Sequence, residues 1–211
     1  MIMDIEILYE DEYLIFAVKP IGVLSQKGNG ENMIDLLSQN RGEVYPVHRL
    51  DTAVGGVMVF AKTPQSAAKM SALVSKNEIE KQYLAVLQGN PEQENDTLVD
   101  LLFKDSRKNK SFVVKRERKG VKKASLEYNL ISSKDDLSLV KVKLHTGRTH
   151  QIRVQFASRK LPLLGDGKYG SKCNKCSVAL WSNSLKFVHP YTKKEIGFTA
   201  SPPDRFPWNI F

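Results

Sequence analysis

Segments with the alternation or apolar run of a β-strand outnumber segments with helical spacing along this chain, and the two kinds do not alternate regularly. A parallel sheet wound by crossover helices needs that alternation, so the pattern points instead to an α+β fold around a largely antiparallel sheet. Strand-like stretches cover residues 5–9, 13–18, 57–61, 82–88, 97–103, 124–131, 137–144 and 195–199. The last two of the central group are joined by Ser132-Ser133-Lys134-Asp135-Asp136, a hairpin signal. Helices are fewer. One is expected over 33–38, and a second starts at Thr63 followed by Pro64, with Ala67, Met70, Leu73 and Val74 on one face to about Lys76. A third is expected to be capped by Thr149, with Ile152 and Phe156 facing the core and Pro162 as its latest end. Lys19-Pro20-Ile21-Gly22 suits a type I turn.

A length of 211 residues with 41% hydrophobic and 26% charged residues describes one folded domain, residues 1–211, and rules out wholesale disorder. No apolar run reaches the ~18–20 residues that span a bilayer. The N-terminus has neither the basic region nor the apolar stretch of a signal peptide. The only cysteines, Cys173 and Cys176, are too few for a disulfide scaffold, and a cytosolic, reducing compartment is expected. Four ligands are wanted for a structural zinc, and with a single Cys-x-x-Cys and scattered histidines the expectation is two reduced thiols and no metal.

The formal charge is +9, and residues 104–123 account for most of it, with ten Lys or Arg against two acids. Such a local excess suits a polyanionic partner, nucleic acid first. Phe112-Val113-Val114 in its middle is strand-like, so the segment reads as a hairpin-like basic arm. It is either a nucleic-acid grip, with Lys119, Lys122 and Lys123 among its contacts, or a solvated loop region with no ligand.

Three segments hold chemistry-bearing side chains. In His48-Arg49-Leu50-Asp51 a carboxylate sits in a loop before Gly55-Gly56 and a buried strand, placed either for turn capping or for catalysis. His145-Thr146-Gly147-Arg148-Thr149-His150-Gln151-Ile152-Arg153 runs from a loop into a helix start, where Arg148 offers a fork for phosphate. Arg153, one turn in, pairs with a carboxylate from another segment, as a structural ion pair or as part of a site. In Lys81-Gln82-Tyr83-Leu84-Ala85-Val86, alternation puts Tyr83 on a face where a tyrosine is either core, a platform for a planar base or a general base.

His-Arg-Leu-Asp before a Gly-Gly strand, then Lys-x-Tyr-Leu-Ala-Val about thirty residues on, then Thr-Gly-Arg-Thr-His-Gln-Ile-Arg-Val, in that order, resembles the RluA-type family of RNA pseudouridine synthases. Lys19-Pro20-Ile21-Gly22, Leu163-Leu164-Gly165-Asp166 with Tyr169-Gly170, and Phe187-Val188-His189-Pro190 extend the resemblance over about residues 8–206. The resemblance implies a largely antiparallel mixed central sheet flanked by helices and loops, with the active site in a central cleft. It also implies Asp51 as catalytic aspartate, Tyr83 as the tyrosine stacked on the target base, and Arg153 as the basic partner of the aspartate, with no metal and no organic cofactor. Substrate contacts are expected from His48, Arg49, Arg148, His150, Gln151 and Ile152, and Arg49 is placed to fill the space left by a flipped base. The expected partner is a transfer or ribosomal RNA stem-loop, gripped by a monomer without the small N-terminal RNA-binding module that many members carry. Gln26, Gln155 and Trp181 stand where members often have histidine, departures that bear on substrate contacts more than on chemistry. The competing readings are a non-catalytic RNA-binding or RNA-folding module of the same fold, and a base-excising glycosylase, which would release free uracil.

Overall fold

The computed structural model describes residues 4–211. In chain order its elements are β1 (Ile7–Glu10), β2 (Leu14–Lys19), α1 (Met33–Ser38), β3 (Tyr45–Pro46), β4 (Gly55–Ala61), α2 (Pro64–Ser75), β5 (Glu80–Gln88), β6 (Asn95–Asp105), β7 (Lys110–Val114), β8 (Val121–Lys134), β9 (Leu137–Leu144), α3 (Gln151–Ala157), β10 (Leu180–Val188) and β11 (Glu195–Thr199). The class is α+β, with mixed strand pairing and few, short helices. Contacts divide the chain into two compact units: one runs from the N-terminus to Lys81 and resumes at Trp181–Pro202, and the other comprises Gln82–Leu180 and Pro203–Phe211.

In the first unit β2 runs antiparallel to both β1 and β4, β3 pairs antiparallel with β4, and β11 with β10. Every residue of β4 is buried, as its unbroken apolar run from Val57 requires. Leu14 and Phe16, Val57, Val59 and Ala61, and Leu185 and Phe187 make one face by period-two alternation, and α2 covers it with Ala67, Met70, Leu73 and Val74. That is the helical stripe expected from the spacing. Thr63 caps α2 as expected, its Oγ1 accepting from the Ser66 N–H at 3.1 Å. Parallel pairing joins β10 to β4 through Trp181 opposite Gly55 and Ser182 opposite Gly56. Both glycines are required there: a Cβ on Gly56, which has φ 115°, would lie 2.2 Å from the Ser182 carbonyl oxygen, and one on Gly55 would lie 2.4 Å from the Trp181 ring.

The second unit is an antiparallel sheet in the order β5, β9, β8, β6, β7. Helix α3 lies on it, with Val154 packed against Leu102 and Ala124, and Phe156 edge-on to Tyr128 at 5.3 Å. The basic segment folds as expected for a hairpin: β6 and β7 pair from Leu101 opposite Val114 to Asp105 opposite Lys110. Asp105 Oδ1 closes the turn by accepting from the Arg107 and Lys108 N–H groups at 2.9 and 3.1 Å.

Two local expectations change. Thr149 does not cap α3. His150 holds the cap position at φ 53° without a side-chain capping hydrogen bond, its left-handed backbone displacing Thr149 from the first helical turn. The turn after β2 falls on Ile21 and Gly22, with Gly22 at φ 95°, one residue later than a type I turn over 19–22. Gln155 and Trp181, which depart from the family's frequent histidines, are buried. Gln155 Nε2 donates to the Leu98 carbonyl at 3.2 Å and to Asp100 Oδ2 at 2.7 Å, and Trp181 Nε1 donates to the Ala200 carbonyl at 2.8 Å.

Candidate active site

Asp51 lies in the loop between β3 and β4, and the first unit fixes that loop from three directions. Ser25 Oγ donates to the Leu50 carbonyl at 2.8 Å and accepts from the Leu50 N–H at 2.9 Å. The Gly22 N–H donates to the Thr52 carbonyl at 2.8 Å, and the Val54 N–H to the Asp51 carbonyl at 2.9 Å. Beneath them is Lys19, fully buried, whose Nζ donates to the carbonyls of Val23 at 2.6 Å, Pro20 at 2.9 Å and Thr52 at 3.3 Å. Burial pushes the Lys19 ammonium down to about 8, while the negative charge of Asp51 acts in the opposite direction. A partly buried carboxylate is thus carried on a backbone held by a cation. In the sequence Lys19 stands in a turn and in a segment of the family resemblance, with nothing local to show its three carbonyl partners. The available signal was register, since Lys19 shares the β2 face of buried Ile15 and Ala17.

His48, the first residue of the motif, faces inward chemically: its Nε2 accepts from the Val59 N–H of β4 at 3.3 Å. An acceptor nitrogen requires the neutral ring, in agreement with burial, helped by the charge of Lys81, pushing its pKa down to about 3. His48 thus ties the motif to the strand. Arg49, by contrast, is exposed.

In the second unit Tyr83 is 6% exposed and sits on β5 opposite Val142 of β9. Arg153 is held by a carboxylate the sequence reading did not assign to it. Its Nε donates to Asp166 Oδ2 at 2.7 Å and its Nη2 to Asp166 Oδ1 at 2.8 Å, a two-point fork with both side chains buried. Thirteen residues separate the two, so no local spacing announces the pair. Ile152 is buried, and Gln151 directs its side chain into the unit, accepting from Thr146 Oγ1 at 2.8 Å and the Arg148 N–H at 3.0 Å and donating to the Ser125 carbonyl at 3.0 Å. Those bonds shape the loop that presents Arg148, whose exposed side chain reaches back through Nε to the Lys123 carbonyl at 3.1 Å. Lys119, Lys122 and Lys123 are all exposed, and Arg148 is bonded to the backbone of Lys123 among them. His150 is half-buried, its Nδ1 3.0 Å from the Tyr169 hydroxyl.

Among the described residues no three His, Cys, Asp or Glu side chains converge as a metal site, and no helix is long and apolar enough to cross a membrane. Cys173 and Cys176 are free thiols, and burial together with Cys173 pushes the Cys176 thiol up to about 11. The geometry offers a loop-borne carboxylate in one unit, and in the other a fixed guanidinium, a buried tyrosine and a basic surface.

Residues 13–158 match the family model described as RNA pseudouridylate synthase. The ribosomal large subunit pseudouridine synthase D of Zymomonas mobilis is 31% identical over 94% of this chain and 69% of its own length. The tRNA pseudouridine synthase C of Vibrio parahaemolyticus is 28% identical over 98% of this chain and 97% of its own. Of solved structures, human RNA pseudouridylate synthase domain containing 1 superposes with a TM-score of 0.82 over 98% of this chain and 86% of that one; at 20% identity this is a likeness of fold.

Proposed function

The chain belongs to the RNA pseudouridylate synthase family, isomerases acting on RNA, and we propose that it converts particular uridines of transfer or ribosomal RNA to pseudouridine with Asp51 as its catalytic carboxylate. The observation that carries the assignment is the Asp51 loop itself, clamped by Ser25 and the buried Lys19 within the matched segment. Loops fixed on rigid strands are where catalytic groups are held.

The reaction breaks the bond from uracil N1 to ribose C1′, turns the base, and joins C5 to C1′. The C5 hydrogen leaves as a proton and N1 gains one, so the product is an isomer and no redox partner is needed. A carboxylate serves each route to that exchange: attack at the sugar or the base gives a covalent intermediate, and support of a cationic or glycal sugar gives a dissociative one. In this reading Tyr83 and Arg153 serve the same reaction as Asp51, Tyr83 against the base and Arg153 as a fixed positive charge. Arg49, Arg148, His150, Lys119, Lys122 and Lys123 contact RNA, while His48, Gln151 and Ile152 hold the loops that present them. The target base leaves its stack to be reached, and phosphate contacts from the arm supply a grip independent of sequence. The protein acts as a monomer in the cytoplasm.

The test is tritium release from RNA labelled at uridine C5, using unmodified transfer and ribosomal RNA pools with the wild type and Asp51→Asn. Release by the wild type alone, with RNA affinity retained in the variant, supports the assignment, and the responding pool names the substrate. Binding without release from either pool would return the protein to the class of RNA-binding modules, and free uracil would make it a glycosylase.

A further inference from the structure

The second unit contains a connection between the basic arm and Arg153 that the reaction as described does not use. Asp166, which forks onto Arg153, begins a tight turn, and the Tyr169 N–H donates back to its carbonyl at 3.0 Å. The Tyr169 side chain then reaches the arm. Its hydroxyl accepts from the Ser111 N–H of β7 at 2.8 Å, lies 3.2 Å from the Ser111 carbonyl as donor, and is 3.0 Å from His150 Nδ1. All three contacts fit one hydroxyl if His150 carries its proton on Nδ1. The Tyr169 ring also lies under both charges, 4.9 Å from Lys110 Nζ and 5.2 Å from the Arg153 guanidinium carbon. A second bolt runs in parallel: Ser111 Oγ donates to the Thr149 carbonyl at 2.6 Å, next to His150, whose left-handed backbone starts α3. One residue of the arm strand is therefore fastened both to the turn holding Asp166 and to the start of the helix bearing Arg153.

We propose that Tyr169 is a positioning residue for the isomerisation, tying the arm strand to the Asp166–Arg153 pair so that docking of RNA on the arm and placement of the Arg153 guanidinium are one event. The proposal rests on the reading of the protein as a pseudouridine synthase. Its physical content is that the hydroxyl of Tyr169 acts on the rate of the bound complex rather than on affinity, since Lys119, Lys122, Lys123 and Arg148 offer exposed positive charge without it.

The experiment measures single-turnover tritium release at saturating enzyme, together with RNA binding and thermal unfolding. It compares wild type, Tyr169→Phe, the triple variant Lys119→Ala/Lys122→Ala/Lys123→Ala, and their combination. Tyr169→Phe keeps the ring beside the two cations and removes only the hydroxyl. The release rate is expected to fall about tenfold or more with the dissociation constant within about twofold of wild type, because small misplacement of a reacting group costs rate steeply. The triple variant is expected to lose affinity and saturating rate, and in the Tyr169→Phe background to lose affinity alone. That non-additivity is a signature a merely structural tyrosine would not give. An unchanged rate in Tyr169→Phe overturns the proposal, as does a loss confined to affinity or rate effects that simply multiply. Should Tyr169→Phe not fold, a ring-fluorinated tyrosine at position 169, which keeps the ring and the hydroxyl but makes its oxygen a poorer acceptor for the Ser111 N–H, decides by the same criteria. Absence of release from the wild type removes the reaction, and this proposal with it.

Discussion

The Arg153–Asp166 fork is a buried ion pair, and its energetics differ from those of a surface bridge. Both ions are stripped of water, so their mutual bonds offset a desolvation cost, and removing one partner leaves the other charged and partly unsatisfied. Asp166→Asn is expected to destabilise the protein by about 3 kcal/mol and to lower the tritium-release rate, measured by urea unfolding and single-turnover assay. His48 makes a second prediction, on pH. Its folded pKa is about 3, below the ordinary 6.5, so between those values the unfolded chain binds the extra proton. Stability therefore rises with pH across that window and is lost on acidification from about 6.5 toward 3. His48→Gln, which keeps an acceptor for the Val59 N–H, is expected to flatten that part of the curve, read from melting temperatures between pH 4 and 7. Asp51 was legible as a candidate because its motif is contiguous. Asp166 was not legible as the partner of Arg153, because the fork joins two segments through the fold; Lys19 was half legible, its inward register visible but its three carbonyl partners not.

Elements read best where one periodicity decides them. The stripe on α2 and its Thr63-Pro64 start were plain in the sequence, and so were β4 and the pair β8 and β9, because burial on known faces leaves little choice of residue. The start of α3 is not legible because Thr149 offers an ordinary cap while the left-handed backbone falls on His150, which no local spacing announces, and β10 is absent from the strand-like stretches because its first half is specified by a neighbour. That neighbour is Gly55-Gly56, and the pairing makes a sharp prediction. Gly56→Ala puts a methyl group against the Ser182 backbone at a φ where alanine is itself strained. A loss of about 2–4 kcal/mol is expected, with activity lost alongside because β4 follows the Asp51 loop. Met70→Ala, on the covering helix, is expected to cost a similar amount, about 2–5 kcal/mol, through the cavity it leaves in the same core. Its loss should leave the release rate of the folded fraction unchanged. Urea titrations paired with release assays below the unfolding midpoint separate the two outcomes: a Gly56→Ala protein that unfolds like wild type would mean the β4 and β10 backbones are not held this close.

At the scale of the whole molecule the charge is lopsided. Ten of the 32 Lys and Arg residues fall in positions 104–123, and that segment supplies +8 of a total of +9. The fold gathers them on β6, β7, β8 and the loops between, with Arg148 fastened to the Lys123 backbone beside them. A generic solubility charge would be spread out, and a concentrated one binds phosphates by releasing their counterions, so affinity falls with salt on a logarithmic slope of about 0.7 per contact for single strands and about 0.9 for duplex. If Lys119, Lys122 and Lys123 each meet a phosphate, their joint replacement by alanine weakens RNA binding similarly for matched and unmatched sequences and flattens the slope by about 2 to 3. Replacing Lys134, Lys141 and Lys160, exposed basic residues outside the arm, is expected to change the slope by much less. Equal slopes for the two triple variants, measured by filter binding from low to moderate salt, would show that the protein uses its net charge diffusely; the arm would then be a solvated face, and the link through Tyr169 would serve stability alone.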